Sequence, residues 1–424
     1  GPPGWVLASE IPSSEAPSKG LQTYTEYVVQ STPLDGLSQV QVAAVKHRRR
    51  QLLQTFTAHG APGAALRPAL DQLQAALALP SEVRAATAEG ELRALGLGGG
   101  QHQLLPAFLV MLRTLKRAGR SFSICFRTFG VDLSKIAPEF NALCEARHPL
   151  FAAEDAATAT RVVLDGSDGA PDLRLRLGPR ETPGREPAEH GSAVGCGTWL
   201  RYGAELRLVL GTIEQPPAEC NDLDGAAAFY AGRPGIELLP SVEAARDHLR
   251  AALHQASRGT TLGLRDHYAG WAQHGCTAAG GKPLLLENDP ALLQIFFDDH
   301  VRSTDAHIID VRRADAPTEP VPFAATCGTH VIVAEPFRAV ASHNYFLRLI
   351  AQAEVRWRAD CRRRHALAEA LAEVGTASAH LGVDAESAEE RVAPRAHYVP
   401  HSQQANRKGR RSSSVHALSR ALLY

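Results

Sequence analysis

Three short runs in this chain carry groups suited to a phosphate and a divalent cation. Phe126-Arg127-Thr128-Phe129-Gly130 closes a short apolar, aromatic run with a hydroxyl. If the run is a buried strand, Thr128 stands at its C-terminal end, where open α/β sheets bind ligands. Gly281-Lys282 places a lone ammonium in a glycine-rich approach, and a lysine is a compact point charge for a phosphate oxygen. Ile295-Phe296-Phe297-Asp298-Asp299 ends a second apolar run in two adjacent carboxylates. Such hard oxygen donors hold Mg²⁺ while leaving positions for water and phosphate. Each run also has a plain reading: Thr128 in a turn, Lys282 in an ordinary glycine-lysine loop, Asp298-Asp299 capping a helix. The ordered combination is more specific than any one member.

Other runs imitate functional motifs and fail on context. Gly96-Leu97-Gly98-Gly99-Gly100-Gln101 begins like a dinucleotide fingerprint, but helical sequence precedes it where a strand is required. The stretch from Gly275 to Pro283 has one glycine too many for a P-loop and a proline in place of the magnesium-binding hydroxyl. Asp222-Leu223-Asp224-Gly225 copies the nucleophile motif of aspartate-based phosphatases. The preceding Pro216-Pro217 excludes a central strand, so an Asx-type turn is expected there. The run Lys46-His47-Arg48-Arg49-Arg50 reads as a solvated helix face or an anion contact.

The elements that must position these groups show in the periodicity. Spacings of three and four between about Leu37 and Leu115 predict helices. Ser121 to Arg127 reads as a buried strand, followed by a helix over about 133–146. Between 153 and 211 the period changes to two, predicting one hairpin of Arg161–Leu164 with Leu173–Leu177 and a second of Trp199–Tyr202 with Leu206–Leu210. A helix is expected over 241–255, strands over 292–297, 307–311 and 329–333, and a long helix over 344–374. The resulting division is coil at 1–20, helices and the first part of an α/β core at 21–150, and a β-rich insertion at 151–260. The remainder of the core with a C-terminal helix follows at 261–375, then a flexible charged tail at 376–424.

Composition narrows the class. Among 424 residues, 45 Lys+Arg balance 45 Asp+Glu, which excludes a strongly basic nucleic-acid binder. No run of 18 apolar residues occurs, so no membrane span is expected. Seven cysteines without a CxxC pair suggest neither a zinc knuckle nor a disulfide framework. A reducing, cytoplasmic setting is expected. The single methionine is Met111, and the opening Gly1-Pro2-Pro3-Gly4-Trp5 is no signal peptide. The expectation is a chain that has lost a leader or belongs to a longer protein.

Thr128, Lys282 and Asp298-Asp299, in that order, resemble motifs II, III and IV of the haloacid-dehalogenase-like (HAD-like) hydrolase superfamily. The fuller strings Phe126-Arg127-Thr128-Phe129-Gly130-x-Asp132-Leu133, Glu139-Phe140-Asn141, His148-Pro149 and Ile308-Ile309-Asp310-Val311-Arg312 are similar to a protist and algal subgroup of it. That subgroup carries Asn where this chain has His300. The likeness covers roughly residues 20–355.

The resemblance implies a Rossmann-like parallel sheet with helices on both faces, and makes the 151–260 insertion a cap. It implies a Mg²⁺-dependent phosphatase acting on a small phosphorylated molecule or a phosphoprotein. Thr128 and Phe129 would bind phosphate with Lys282, and Asp298 and Asp299 would hold the metal. His148, Arg265, Asp266 and His267 are further candidate contacts. The superfamily's first motif, DxDx[TV], supplies the attacking aspartate and a second one that protonates the leaving group. The best upstream run, Tyr27-Val28-Val29-Gln30-Ser31-Thr32, has no aspartate. The expectation is therefore a fragment lacking the nucleophile, with an exposed sheet edge beside the Phe126 strand. The alternative is a non-catalytic scaffold or interaction protein of the same fold. Nothing in the sequence sets the oligomeric state.

Overall fold

The computed structural model describes residues 20–34, 36–158, 161–178, 195–217, 219–253, 259–302 and 304–380. The predicted helical stretch becomes a series of short helices, among them Gln39–Gln54, Arg67–Leu77 and Pro106–Arg117. The last starts with proline at its first position, where no helical N–H is lost, and ends with Lys116 and Arg117 facing the negative helix terminus. The upstream run at 27–32 is no strand: it lies in and just after the helix Tyr24–Ser31. Thr23 and Glu26 close a reciprocal capping box there. The basic run at 46–50 is not wholly solvated either. Arg49 is buried, and its guanidinium donates to Thr32 Oγ1 at 2.8 Å and to the Val29 carbonyl at 3.2 Å, satisfying the end of the Tyr24–Ser31 helix.

The described strands are β1 (Ile124–Thr128), β2 (Cys196–Tyr202), β3 (Glu205–Leu210), β4 (Glu237–Leu238), β5 (Thr261–Arg265), β6 (Lys282–Leu286), β7 (Phe296–Asp298), β8 (Ile309–Arg313) and β9 (Val331–Val333). Five of them form one sheet in the order β1-β5-β2-β3-β4, with β5 parallel to both β1 and β2. Separate parallel pairs join β6 to β8 and β7 to β9. The protein is thus mixed α/β with a parallel-containing sheet. Ile124 and Phe126 pack with the Pro106–Arg117 and Leu133–Cys144 helices, while Leu262 and Leu264 pack with the Val242–Leu253 helix on the other face. Among the described residues no helix is long and apolar enough to cross a membrane.

Several expectations are corrected. The first predicted hairpin forms only an isolated bridge, Asp165 to Asp172. The Asn141 side chain clasps both backbone groups of Leu175, at 2.7 and 3.0 Å, in place of a partner strand. Its alternation still sends Leu164, Leu173 and Leu175 into the core. The second hairpin is present as β2–β3, with Gly203 at a left-handed φ of +57° in its turn. It is not a separate cap, because β2 hydrogen-bonds to β5 inside the main sheet. β5 and β6 were not expected, and β7 is only three residues long. The C-terminal helix runs Tyr345–His380, past the expected end of the core. Most of the coil at 1–20, the loop over 178–197 and the tail at 376–424 lie outside the described residues.

β1 is an edge strand among the described residues. Ile124 N–H and the Thr128 carbonyl bond toward β5, so alternation turns the N–H and C=O of Cys125 the other way. In β7, Phe296 and Asp298 bond toward β9, leaving Phe297 to face away from it. Between the two edges lies a cavity of about 410 Å³, lined by Cys125, Phe297, Leu285, Phe108, Leu112 and Trp357.

Under the sheet, a buried carboxylate ties three segments together. Glu139 Oε2 accepts from the backbone N–H groups of Gln103 (2.7 Å) and Leu104 (2.8 Å). Glu139 Oε1 meets His102 Nδ1 at 2.6 Å and His148 Nε2 at 3.2 Å. Burial alone would push this carboxyl up, but the hydrogen bonds from both histidines outweigh it and hold the pKa at about 2. A depressed carboxylate contributes stability above its unfolded pKa and loses it as pH falls through the folded one. Stability should therefore decline between the ordinary value of 4.5 and about 2. Glu139→Ala should cost about 3–5 kcal/mol at neutral pH and flatten that decline, measured by urea unfolding across the acid range.

Candidate functional site

The site forms where β1 and β7 end. Thr128 is the last residue of β1, and its carbonyl accepts the Asp266 N–H at 2.7 Å. Its hydroxyl oxygen accepts the Gly130 N–H at 2.8 Å, which leaves the hydroxyl proton to point elsewhere. The turn around Gly130 is tight against side chains rather than backbone. A Cβ at that position would stand 2.5 Å from Asp132 Oδ2 and 3.4 Å from Thr128 Oγ1. Asp132, at the start of the following helix, is therefore a buried carboxylate beside the Thr128 hydroxyl. Sequence reasoning passed over its role, although it sits in the quoted string after Gly130.

Lys282 does not lie on a loop leading into the Asp298 strand; it opens β6, a strand of its own. Its Nζ donates to Asp298 Oδ2 at 2.8 Å, with the lysine 2% and the aspartate 0% exposed. The Phe129 ring centre lies 5.4 Å from the same ammonium and that of Phe296 at 6.0 Å, so both ring faces help to hold the cation. The chain thus brings Lys282 and Asp298 into contact and sets Phe129, next to Thr128, against them.

Asp299 follows β7. Its Oδ1 meets His300 Nδ1 at 2.8 Å, while Asp298 Oδ1 accepts the His300 N–H at 2.7 Å. The Asp298-Asp299 pair therefore does not cap a helix. Burial would lower the His300 pKa, but the charge of Asp299 and the hydrogen bonds to both aspartates raise it to about 10. The Lys282 charge and the His300 hydrogen bond likewise overcome burial and hold Asp298 well below the usual carboxylate range. Ligand atoms of Asp298, Asp299 and His300 lie within 4.8 Å of one another. Asp298 and Asp299 are the residues whose oxygens would hold a divalent cation here, with His300 the neighbouring nitrogen.

A second group of possible ligands, His102, Glu139 and His148, does not fit a metal. His148 Nδ1 accepts the Leu150 N–H at 3.3 Å, so its proton sits on Nε2 and donates to Glu139. A ligating histidine needs that lone pair, and normally donates through its other nitrogen.

No family model, curated protein or solved structure matches the chain.

The other candidate contacts serve the scaffold. Asp266 is buried against the Arg127 guanidinium, which also donates to the Pro283 carbonyl at 2.8 Å. His267 sits against the backbone of Arg201. Arg265 reaches the Ile213 carbonyl at 3.2 Å, and His148 belongs to the Glu139 cluster. Asp222 caps the Leu223–Tyr230 helix by accepting the Gly225 N–H at 2.8 Å, as its turn chemistry suggested.

Removing one member of a buried ion pair strands the other. Lys282→Met and Asp298→Asn should each lower unfolding free energy by roughly 3–5 kcal/mol. The double variant should recover part of the sum, giving a clear coupling in a double-mutant cycle by chemical denaturation. Additive losses would show that the pair is not coupled.

Proposed function

We propose that the cluster of Thr128, Lys282, Asp298 and Asp299 binds a phosphate monoester together with Mg²⁺, as the phosphoryl site of a HAD-like phosphohydrolase. The observation that carries the reading is the buried Lys282–Asp298 contact beside Phe129, directly after Thr128. A solvent-shielded ammonium against a carboxylate, with the ring that follows Thr128 packed on it, suits a group that is itself multiply anionic. The Thr128 hydroxyl, oriented through its oxygen by Gly130, donates to a phosphoryl oxygen, as does the backbone N–H of Phe129. Lys282 balances charge on the free oxygens. Asp298 and Asp299 would hold Mg²⁺, which when bound offsets phosphoryl charge as a Lewis acid.

Attack on phosphorus needs a further carboxylate, and the superfamily resemblance assigns that role to a strand ending in aspartate. The substrate is a small phosphorylated molecule or a phosphoprotein. One observation favours the second reading, a HAD-like scaffold without turnover: both Asp298 oxygens already have donors within the chain.

Calorimetric titration separates the two readings. On the phosphoryl reading, Mg²⁺ tightens inorganic phosphate binding by roughly tenfold or more, and Asp299→Asn abolishes that dependence. A longer form carrying an upstream DxDxT strand should hydrolyse phenyl phosphate with Mg²⁺. Phosphate binding indifferent to Mg²⁺, or none, favours the scaffold.

A further inference from the structure

The cavity between β1 and β7 is bounded by two open strand edges. Alternation along β1 turns the N–H and C=O of Cys125 toward it, and along β7 those of Phe297. Among the described residues no hydrogen bond reaches these four groups. The nearby edge of β6 is different, because side chains already answer its outward groups. The Gln294 amide donates to the Leu285 carbonyl at 3.0 Å and accepts the Glu287 N–H at 2.7 Å, and Arg127 donates to the Pro283 carbonyl at 2.8 Å. The fold thus closes one edge and leaves two open around about 410 Å³.

The walls above and below are apolar. Phe108 and Leu112 line the cavity from the helix Pro106–Arg117, and Leu249 and Leu253 from the helix Val242–Leu253 on the other face of the sheet. An aliphatic ligand would suit these walls but leave the backbone groups of Cys125 and Phe297 unpaired in an apolar setting. An extended peptide strand pairs with both edges at once. Buried on both faces, such a strand must be apolar throughout. Because β1 and β7 both end at the Thr128 and Asp298 side, it runs parallel to both.

The mouth lies at the start of β1 and is basic. Arg120, Arg250 and Arg358 line it and share two carboxylates: Glu354 pairs with Arg120 and, at 3.3 Å, with Arg358, while Glu287 stands 3.9 Å from Arg250. Arg250 and Arg358 are each 59% exposed, so both can meet a further anion. Outside the described residues the longest apolar runs, Trp5–Ala8 and Ala421–Tyr424, have four residues each, against the five of β1.

We infer that the cavity between β1 and β7 takes an extended apolar segment of another polypeptide as a parallel strand, led by acidic residues at the arginine mouth. This surface is distinct from the phosphoryl site and does not rest on that reading.

The test is hydrogen exchange of the full chain, read residue by residue, with a synthetic peptide whose Asp-Asp lead precedes a valine and isoleucine run as long as β1. In the chain alone the Cys125 and Phe297 amides should exchange faster than those of Phe126 and Asp298, and the peptide should slow them roughly tenfold or more. Methylating alternate amides of the peptide should abolish that protection, and decanoate should not produce it. A Lys-Lys lead should weaken binding roughly tenfold, and Arg358→Glu should reverse the preference between the two leads. Cys125 and Phe297 amides already protected in the chain alone, no protection by the peptide, or equal protection by the methylated peptide or decanoate overturns the inference.

Discussion

A charge removed from water has to be answered by another charge, and in this protein three such answers tie strands together, two of them joining strands that share no backbone ladder among the described residues. Arg127 of β1 pairs with Asp266 beyond β5 and reaches the Pro283 carbonyl of β6. Arg201 of β2 pairs with Asp310 of β8 at 2.5 Å, and Arg312 shares that carboxylate at 2.8 Å. Lys282 of β6 pairs with Asp298 of β7. The five-stranded sheet and the two strand pairs are thus stapled by buried ions. Such pairs add little net stability because desolvation offsets their attraction. Their value here is geometric, since a shift of any strand would leave an ion buried and alone.

The candidate site is one of these staples, and this explains its mixed character. Lys282 and Asp298 complete each other at rest, with His300 and Asp299 as a second layer. An incoming dianion and divalent cation would exchange partners within the set and leave its total charge nearly balanced. The Thr128 turn adds a neutral donor whose oxygen is held by the backbone N–H of Gly130.

The sequence made the apolar strand endings at Thr128 and Asp298 legible, because a hydroxyl or carboxylate closing a short run of buried aromatics is uncommon without a reason. The β2–β3 hairpin was readable from its period of two. β5 was not, and the cause is Gly263 at its centre. A Cβ there would stand 3.0 Å from the Leu175 side chain and 3.1 Å from that of Leu177. The neighbouring loop packs closely over this glycine, which itself weakens the strand signal. β6 was hidden by a charged first residue whose burial depends on a carboxylate 16 positions away. The placement of the hairpin within the sheet, and the pairing of β7 with β9, are long-range facts that local periodicity does not encode.

The position of β5 has a consequence for how the chain assembles. The hairpin β2–β3 closes locally, and β1 lies far upstream, yet β5 runs between β1 and β2 and contacts β1 across 137 residues. A strand that completes the middle of a sheet arrives after its flanks are drawn together, which makes its insertion a late and slow event. Until then the inner edges of β1 and β2 stand open to other chains. The time the protein spends waiting for β5 is therefore its period of greatest exposure to misassembly during synthesis.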